Sequence, residues 1–469
     1  MTKPNITLQE VELPEFGKCA VMPDIPPSVF EARFAAAIAQ MKALGYDVLL
    51  VFADREHCAN LQYLTNLDPR FEEALLMVNT HGNRKMLLGN ECMGYTGIVT
   101  IPMDYELYQP FSLMGQDRSI SRDLKAILSE FGIQKGSKIG CAYYKTMDLK
   151  DTSVLEIPDY LADILRNMIG ETGILSNANA IFMDNKIGLR HHNCLEELVR
   201  MEWASCRSSE SIKNVVKNVA VGMREYELAA FYQSDGLTLS CHPMVSTGEK
   251  AAIGLSSPSA RKVQLGDAFT SALGIQGSLT CRAGFIAENE EQLPEETRDI
   301  FEPFWRNYFE TVVTWYENIG IGVKAAAVCK AVEAARDKTL FDFAVNTGHT
   351  IHLDEWVNSP FTMDSDVELY SNMALQMDII PVSKGILADS KKGFVCANME
   401  DGIVLADAKL RAEWANRFPE SWKRIEARRA FMKEKLGIHI REEVLPMSNM
   451  PAYYAPYLLN FGRVAVKGN

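Results

Sequence analysis

The chain has 469 residues, which at ~150 residues per domain allows two or three domains and an ample core. Apolar residues make up 47% and charged residues 23%, the balance of an ordinary globular protein. The 48 Lys and Arg against 61 Asp and Glu leave a net charge of −13, which argues against a non-specific nucleic-acid binder that must displace phosphate counterions with cations.

In the first half, apolar spacing predicts a helix over 29–44 that stops at Gly45, a residue suited to a left-handed C-cap. YDVLLVFAD then reads as a buried strand. EALLMVN and RKMLLGN read as two more, joined by a turn at His81-Gly82-Asn83. Helices near 120–131 and 157–168 flank a strand in SKIGCAYY. This alternation predicts an α/β domain over residues 1–186, ending where turn formers cluster at Asp184–Gly188.

The second domain, 187–469, opens with a long helical stretch from Leu195 and a second in EYELAAFYQSDGL. Strands are predicted in VQLGDAFTSALG and SLTCRAGFIA. A helix from Pro294 to about Asn318 has Glu295 and Glu296 in its first turn, where acids suit the helix dipole. The acidic run from Glu288 to Glu296 reads as a solvated helix approach. Another helix spans Val323 to Arg336, followed by strands in ALQMDIIPV, GFVCANM and GIVLAD and a closing helix around 408–435. The apolar run LPMSNMPAYYAPYLLNFGRV predicts a tail packed on the domain or on a partner.

Several familiar chemistries lack their motifs. Gly320-Ile-Gly-Val-Lys-Ala325 spells a dinucleotide fingerprint, yet it follows a helix instead of the strand that motif requires. Phosphate-loop, HExxH and nucleophile-elbow motifs are missing. The ten cysteines form no CxxC pair, so neither a zinc knuckle nor a disulfide framework is indicated. No apolar run approaches the ~20 residues of a membrane span, and the polar N-terminus lacks a secretory signal's apolar core. The expectation is a cytoplasmic protein with free thiols and no membrane or nucleic-acid partner.

Three stretches carry a resemblance. GMREYELA (222–229) leads to VSTGEK (245–250) and RKVQLGDAFTSALG (261–274). NTGHTIHLDEWVNSP (346–360) comes next, then NMALQMDIIPV (372–382) and FVCANMEDGIVLAD (394–407). In order and spacing they resemble the creatinase, prolidase and aminopeptidase P family. The resemblance implies an α+β chain: a pita-bread C-terminal catalytic domain preceded by an α/β creatinase-type N-terminal domain.

Family peptidases hold two metals with two Asp, one His and two Glu, because bridging carboxylates must offset adjacent cations and activate a shared water. Carried over residue by residue, the first Asp falls on Ala272 and the second near Leu279–Ala283, where no carboxylate stands. An additional family histidine falls near Leu255. His349 matches the ligand histidine, Asp378 replaces the first Glu, and Glu400 matches the last. Creatinase itself works without metal. The resemblance therefore implies a creatinase-like, metal-independent hydrolase cleaving a C–N bond in a small carboxylate-bearing amidine, amide or cyclic amide. The alternatives are an Xaa-Pro peptidase-like enzyme with a reduced metal site and a non-catalytic peptide- or protein-binding relative.

His349 is the candidate proton shuttle, since an imidazole both takes and gives a proton near neutrality. Asp378 and Glu400 are candidates to position water and substrate nitrogen; if they share a cleft, repulsion raises one apparent pKa. No cofactor is expected, and the fallback is one divalent metal at His349, Asp378 and Glu400, since a catalytic zinc takes three protein ligands. Arg282 reads equally as a fork for a substrate carboxylate or as a structural ion pair. Cys281 beside it reads as a nucleophile partnering His349 or as an inert buried thiol. His242 and His352 are candidate substrate contacts or structural histidines. In creatinase-like homodimers the partner supplies an arginine, which places Arg70 as a substrate contact across the dimer.

Overall fold

The computed structural model describes residues 5–252, 254–383 and 396–468. The chain forms two compact units, Ile25–His192, and Asn193–Asn469 together with Met1–Asp24. The initial segment thus belongs with the C-terminal unit, unlike the unbroken 1–186 division expected from sequence. Its strand β1 (Ile6–Glu10) pairs antiparallel with the last described strand, Arg463–Lys467.

The N-terminal unit carries β2 (Val48–Ala53), β3 (Ala74–Asn79), β4 (Arg84–Leu88), β5 (Asp104–Leu107), β6 (Lys138–Ala142) and β7 (Ile174–Asn177). They form one sheet in the order β5-β4-β3-β2-β6-β7. All six residues of β2 are buried, as a strand covered on both faces requires. The helix Pro27–Leu44 ends at Gly45 with φ 77°, the left-handed cap expected there.

In the C-terminal unit the helix Leu195–Lys217 packs on β9 and β10 of a large sheet. That sheet contains β8 (Leu239–Thr247), β9 (Ala268–Ile275) and β10 (Ser278–Phe285). After the helices Glu295–Asn318 and Ala325–Ala335 come β11 (Phe341–Phe343), β12 (Gly348–Thr350), β13 (Ala374–Ile379), β14 (Pro381–Ser383), β15 (Met399–Leu405), β16 (Val444–Pro446) and β17 (Arg463–Lys467). The sheet order is β12-β13-β15-β10-β9-β8, with β16 against β15. The central pairs β9/β10, β10/β15 and β13/β15 are antiparallel.

Three expectations change. The helix expected across EYELAAFYQSDGL covers only Glu225–Ala229, and at the far end of that stretch Asp235 and Gly236 adopt left-handed φ of 53° and 73°, which a helix excludes. The closing helix is two, Ala408–Arg417 and Pro419–Leu436; a proline disfavours helical geometry in the residue before it. Of the strand expected in GFVCANM, residues 393–395 lie outside the described residues and β15 starts only at Met399. The apolar tail from Leu445 to Leu458 is buried in its own unit.

Candidate active site

Directly opposed residues in antiparallel strands share one face of the sheet. The register sets Met244 opposite Ala272, Ala272 opposite Cys281, Cys281 opposite Glu400, and Glu400 opposite Asp378. One row across five strands therefore presents a thioether, a methyl, a thiol and two carboxyls to a single cleft. His349 lies opposite Gln376, two residues along β13 from Asp378 and hence on the same side.

The imidazole sits behind the cleft carboxyls and is not itself part of the described lining. His349 is fully buried, with Nε2 3.3 Å from Glu400 Oε1 and 3.9 Å from both Asp378 Oδ2 and Glu355 Oε1. Its Nδ1 lies 3.2 Å from the Thr350 carbonyl, a partner that can only accept, so Nδ1 carries the proton and Nε2 faces the carboxyls. Trp356 stacks on the ring at 4.2 Å and 19°, fixing its plane.

Three carboxyls thus converge on one imidazole, and the described lining of the cleft contains no Lys or Arg. Burial pushes the Asp378 carboxyl well above the usual range, and the neighbouring Glu400 adds to the shift. Burial likewise raises Glu400 well above its ordinary value, reinforced by Glu355. Glu355, with a side chain 30% exposed, is raised mainly by burial as well. Uncompensated carboxyls at such distances hold protons or a cationic guest.

The sequence-derived candidates divide sharply. His349, Asp378 and Glu400 come together. Arg282 does not join them: alternation along β10 turns it to the opposite face from Cys281, where its guanidinium meets both Asp401 oxygens at 2.9 and 2.8 Å. The Tyr453 and Met450 carbonyls complete its shell, so it is a structural ion pair and not a substrate contact. His352 is buried against Glu197, Nε2 to Oε1 2.9 Å, and also stands apart. His242 is exposed where β8 loses register between Cys241 and Met244; those two residues line the cleft and His242 does not. Arg70 belongs to the other unit, where it meets Asp68 at 3.2 Å and the Tyr95 hydroxyl at 2.8 Å.

Cys281 lines the cleft as a buried thiol whose pKa burial raises far above the usual value, and Asn398 donates to its sulfur at 3.1 Å. It is a neutral wall group instead of a nucleophile. Sequence reasoning missed Glu355, Trp356 and Asn398. The first two lie in the same motif as His349, but which loop residues fold back onto the imidazole cannot be read from spacing.

The resemblance stated from the sequence implies a pair of metals, and the positions it assigns to the two aspartates lack the donors for a pair. The positions assigned to its two aspartates offer the cleft only the methyl of Ala272, the side chain of Leu279 and the neutral Cys281 thiol. A bridging carboxylate is missing at both. One divalent ion is a different matter, because single ligand atoms of His349, Glu355 and Glu400 lie within 4.8 Å of one another. In that trio Glu355 takes the place that the sequence reading gave to Asp378.

No protein-family model matches this sequence, and no curated protein matches it. Solved structures do. A prolidase from Pyrococcus horikoshii OT3 aligns at 14% identity over 80% of this chain and 95% of its own, with a TM-score of 0.60. A dipeptidase from the same organism aligns at 23% identity over 79% and 94%, with a TM-score of 0.59. An X-Pro aminopeptidase from Thermotoga maritima MSB8 aligns at 13% identity over 80% and 95%, also at 0.59. The coverage embraces almost the whole of each neighbour, and the chain has the α+β, pita-bread fold of the creatinase and prolidase family.

Proposed function

We propose that this protein is a hydrolase cleaving a C–N bond in a small amidine, amide or cyclic amide, by side-chain acid–base chemistry of the creatinase type and without a metal pair. The observation that carries the reading is the convergence of buried Asp378 and Glu400 on His349 Nε2 at 3.9 and 3.3 Å. In the proposed cycle Nε2 takes a proton from water as its oxygen bonds to the substrate carbon. The Glu400 carboxyl, kept protonated by burial, gives its proton to the nitrogen as the C–N bond breaks. The imidazolium then returns a proton to Glu400 across the 3.3 Å contact, closing the cycle. Asp378, whose Oδ1 has no hydrogen-bond partner, accepts from a substrate N–H.

Beyond the cleft, the proposal is a homodimer in a reducing cytoplasm, in keeping with ten scattered cysteines that form no CxxC pair. No described helix is long and apolar enough to cross a membrane. With Arg282 engaged elsewhere, a substrate carboxylate falls to Arg70 of the partner subunit. A second reading, a one-metal hydrolase, is favoured by the His349, Glu355 and Glu400 trio; there the ion would supply a Lewis acid beside the same cleft.

The test is turnover of a panel of amidines, cyclic amides and Xaa-Pro dipeptides by wild type and His349→Ala, before and after chelation. Chelator-resistant turnover that disappears in His349→Ala is expected. Turnover that vanishes on chelation and returns with one equivalent of divalent ion establishes the one-metal reading instead. A folded protein inert to the whole panel removes the hydrolase.

A further inference from the structure

Of the three stretches that carry the resemblance, the first brings no reacting group to the cleft. Its segments meet instead around one buried carboxylate. Glu225 is fully buried at the start of the helix Glu225–Ala229. Its Oε1 accepts from Thr247 N at 2.8 Å and Thr247 Oγ1 at 2.9 Å. Its Oε2 accepts from Lys250 Nζ at 2.7 Å, Ser259 N at 2.9 Å and Ser259 Oγ at 2.6 Å. The Glu225 N–H in turn donates to the Arg261 carbonyl at 3.0 Å.

These donors bracket a wall of the cleft. Thr247 ends β8, Lys250 follows it, and Ser259 lies beyond Leu255. Between them Ala251, Gly254 and Leu255 line the cleft together with Cys281, Asp378 and Glu400. One carboxylate therefore fastens both ends of the stretch 247–259. Packing alone does not fix that wall, since Leu255 is 65% exposed, and a segment with few buried apolar contacts opens readily. Ser246 Oγ adds one bond to the Ser256 carbonyl at 3.2 Å. Beside the carboxylate, Arg261 Nη1 donates to Thr247 Oγ1 at 2.7 Å and Nη2 to Asp267 Oδ1 at 2.8 Å. Gly248, at φ 63°, leaves room for that guanidinium where a Cβ would stand. Burial would raise the Glu225 carboxyl, but Lys250, Ser259 and Thr247 outweigh it and hold it below the ordinary range. On the cleft side, Cys396 Sγ lies 3.9 Å from the Ala251 carbonyl, so a thiol touches the wall directly.

We propose that Glu225 is the positioning residue of the cleft wall: it ties the two ends of the stretch 247–259, holding Ala251, Gly254 and Leu255 in place and keeping solvent from Cys281 and Cys396. This deepens the hydrolase reading, because acid–base chemistry needs its substrate held by fixed walls, but the tie itself can be measured without turnover.

The experiment is timed labelling of the native full-length protein with iodoacetamide, read cysteine by cysteine by peptide mass spectrometry. Cys281 and Cys396 are buried and line the cleft, while Cys141 and Cys206 are also buried and stand outside its described lining. The second pair thus reports global opening. Glu225→Gln keeps the shape, but whichever way its amide turns, the NH2 meets the backbone N–H of Thr247 or of Ser259, and one end loses its acceptor. We expect Cys281 and Cys396 to label roughly ten- to a hundredfold faster in Glu225→Gln, the range for one buried end left unpaired. Cys141 and Cys206 should keep their wild-type rates. Lys250→Met removes a single donor and should accelerate the same two thiols by a smaller factor, which keeps the test decisive if Glu225→Gln fails to fold. For any substrate found among the amidines and amides, KM should rise in Lys250→Met by a larger factor than kcat falls, because the reacting groups are untouched.

Equal acceleration of all four thiols overturns the proposal, since Glu225 then serves only global stability. Unchanged labelling of Cys281 and Cys396 in folded Glu225→Gln overturns it as well. Selective acceleration in a protein inert to every substrate removes the hydrolase and leaves the tie. Turnover with unchanged labelling does the reverse.

Discussion

Asp378 and Glu400 stand directly opposite each other on β13 and β15, both almost fully buried, and the group shared between them is one imidazole. Nothing in a stable apolar core calls for such a pairing, since buried carboxyls without partners cost stability unless they serve a guest or a reaction. On the proposed hydrolase reading, the pair is the point at which stability and activity pull apart.

Asp378→Asn makes that opposition measurable. It removes one of two mutually repelling acids while keeping shape, so thermal and chemical denaturation at neutral pH should show a gain of ~0.5–2 kcal/mol. Turnover of whatever C–N substrate is identified should fall about a hundredfold or more, the scale of a lost acid–base or orienting group. A variant that is less stable and fully active would mean the carboxyl is structural.

Arg282 leads to the opposite expectation. Its guanidinium neutralises Asp401 in a site where both are buried. Arg282→Ala leaves that carboxylate unpaired and should destabilise the C-terminal unit by ~3–5 kcal/mol, seen as a lowered denaturation midpoint. Arg282→Lys should recover only part, because an ammonium cannot reproduce the two-pronged contact. A KM rise with unchanged stability would restore the substrate-binding role.

How far these features were legible in sequence depends on their range. β2, β3 and β4 and the helix capped by Gly45 were readable because local periodicity and capping dictate them. His349, Asp378 and Glu400 were readable through motif order. The orientation of Arg282 was not, since a carboxylate 119 positions away decides it, and no local pattern reports which strand face a charge will use. Glu355 was hidden for a similar reason: its return to the imidazole depends on the path of the loop after β12. Pro419 marks the helix break in the sequence itself, since a proline disfavours helical geometry in the residue before it.

A second buried cluster sets the response to acid. Glu202 is held by Arg424 at 2.9 and 2.6 Å and by Arg428 at 2.8 Å. Burial alone would raise its carboxyl, but the two guanidiniums, Arg428 foremost, outweigh that and hold it below the ordinary range. With the folded pKa depressed, the unfolded chain takes up the proton first as pH falls. The stabilisation is complete above the unfolded value of about 4.3 and is lost as pH drops through the lower folded value. Glu202→Gln should lose ~3–5 kcal/mol at neutral pH and show a shallower acid limb in denaturation midpoints between pH 5 and 2. An unchanged acid limb would place the sensitivity elsewhere.

The proposed dimer has its own test in mixed protomers. If Arg70 reaches a neighbouring cleft, Arg70→Ala and His349→Ala homodimers are each inactive. Mixed dimers contain one cleft with both groups intact, and refolding the two variants together should restore part of the activity. No recovery in verified mixed dimers would confine Arg70 to its contacts with Asp68 and Tyr95.

The metal argument can be run in reverse. If Ala272 and Cys281 are the reason a second ion has no place, Ala272→Asp with Cys281→Asp supplies two carboxylates to the row already holding Glu400 and Asp378. Apart from metal, that variant buries two further acids and should be much less stable than wild type. With Co2+ or Zn2+ it should bind one more equivalent per chain than wild type by mass spectrometry. Its melting temperature should climb with ion concentration, since a ligand that binds only the folded state stabilises it in proportion to the logarithm of its excess. An unchanged ion count in a folded double variant would show that the strand spacing, and not the two side chains, excludes the pair.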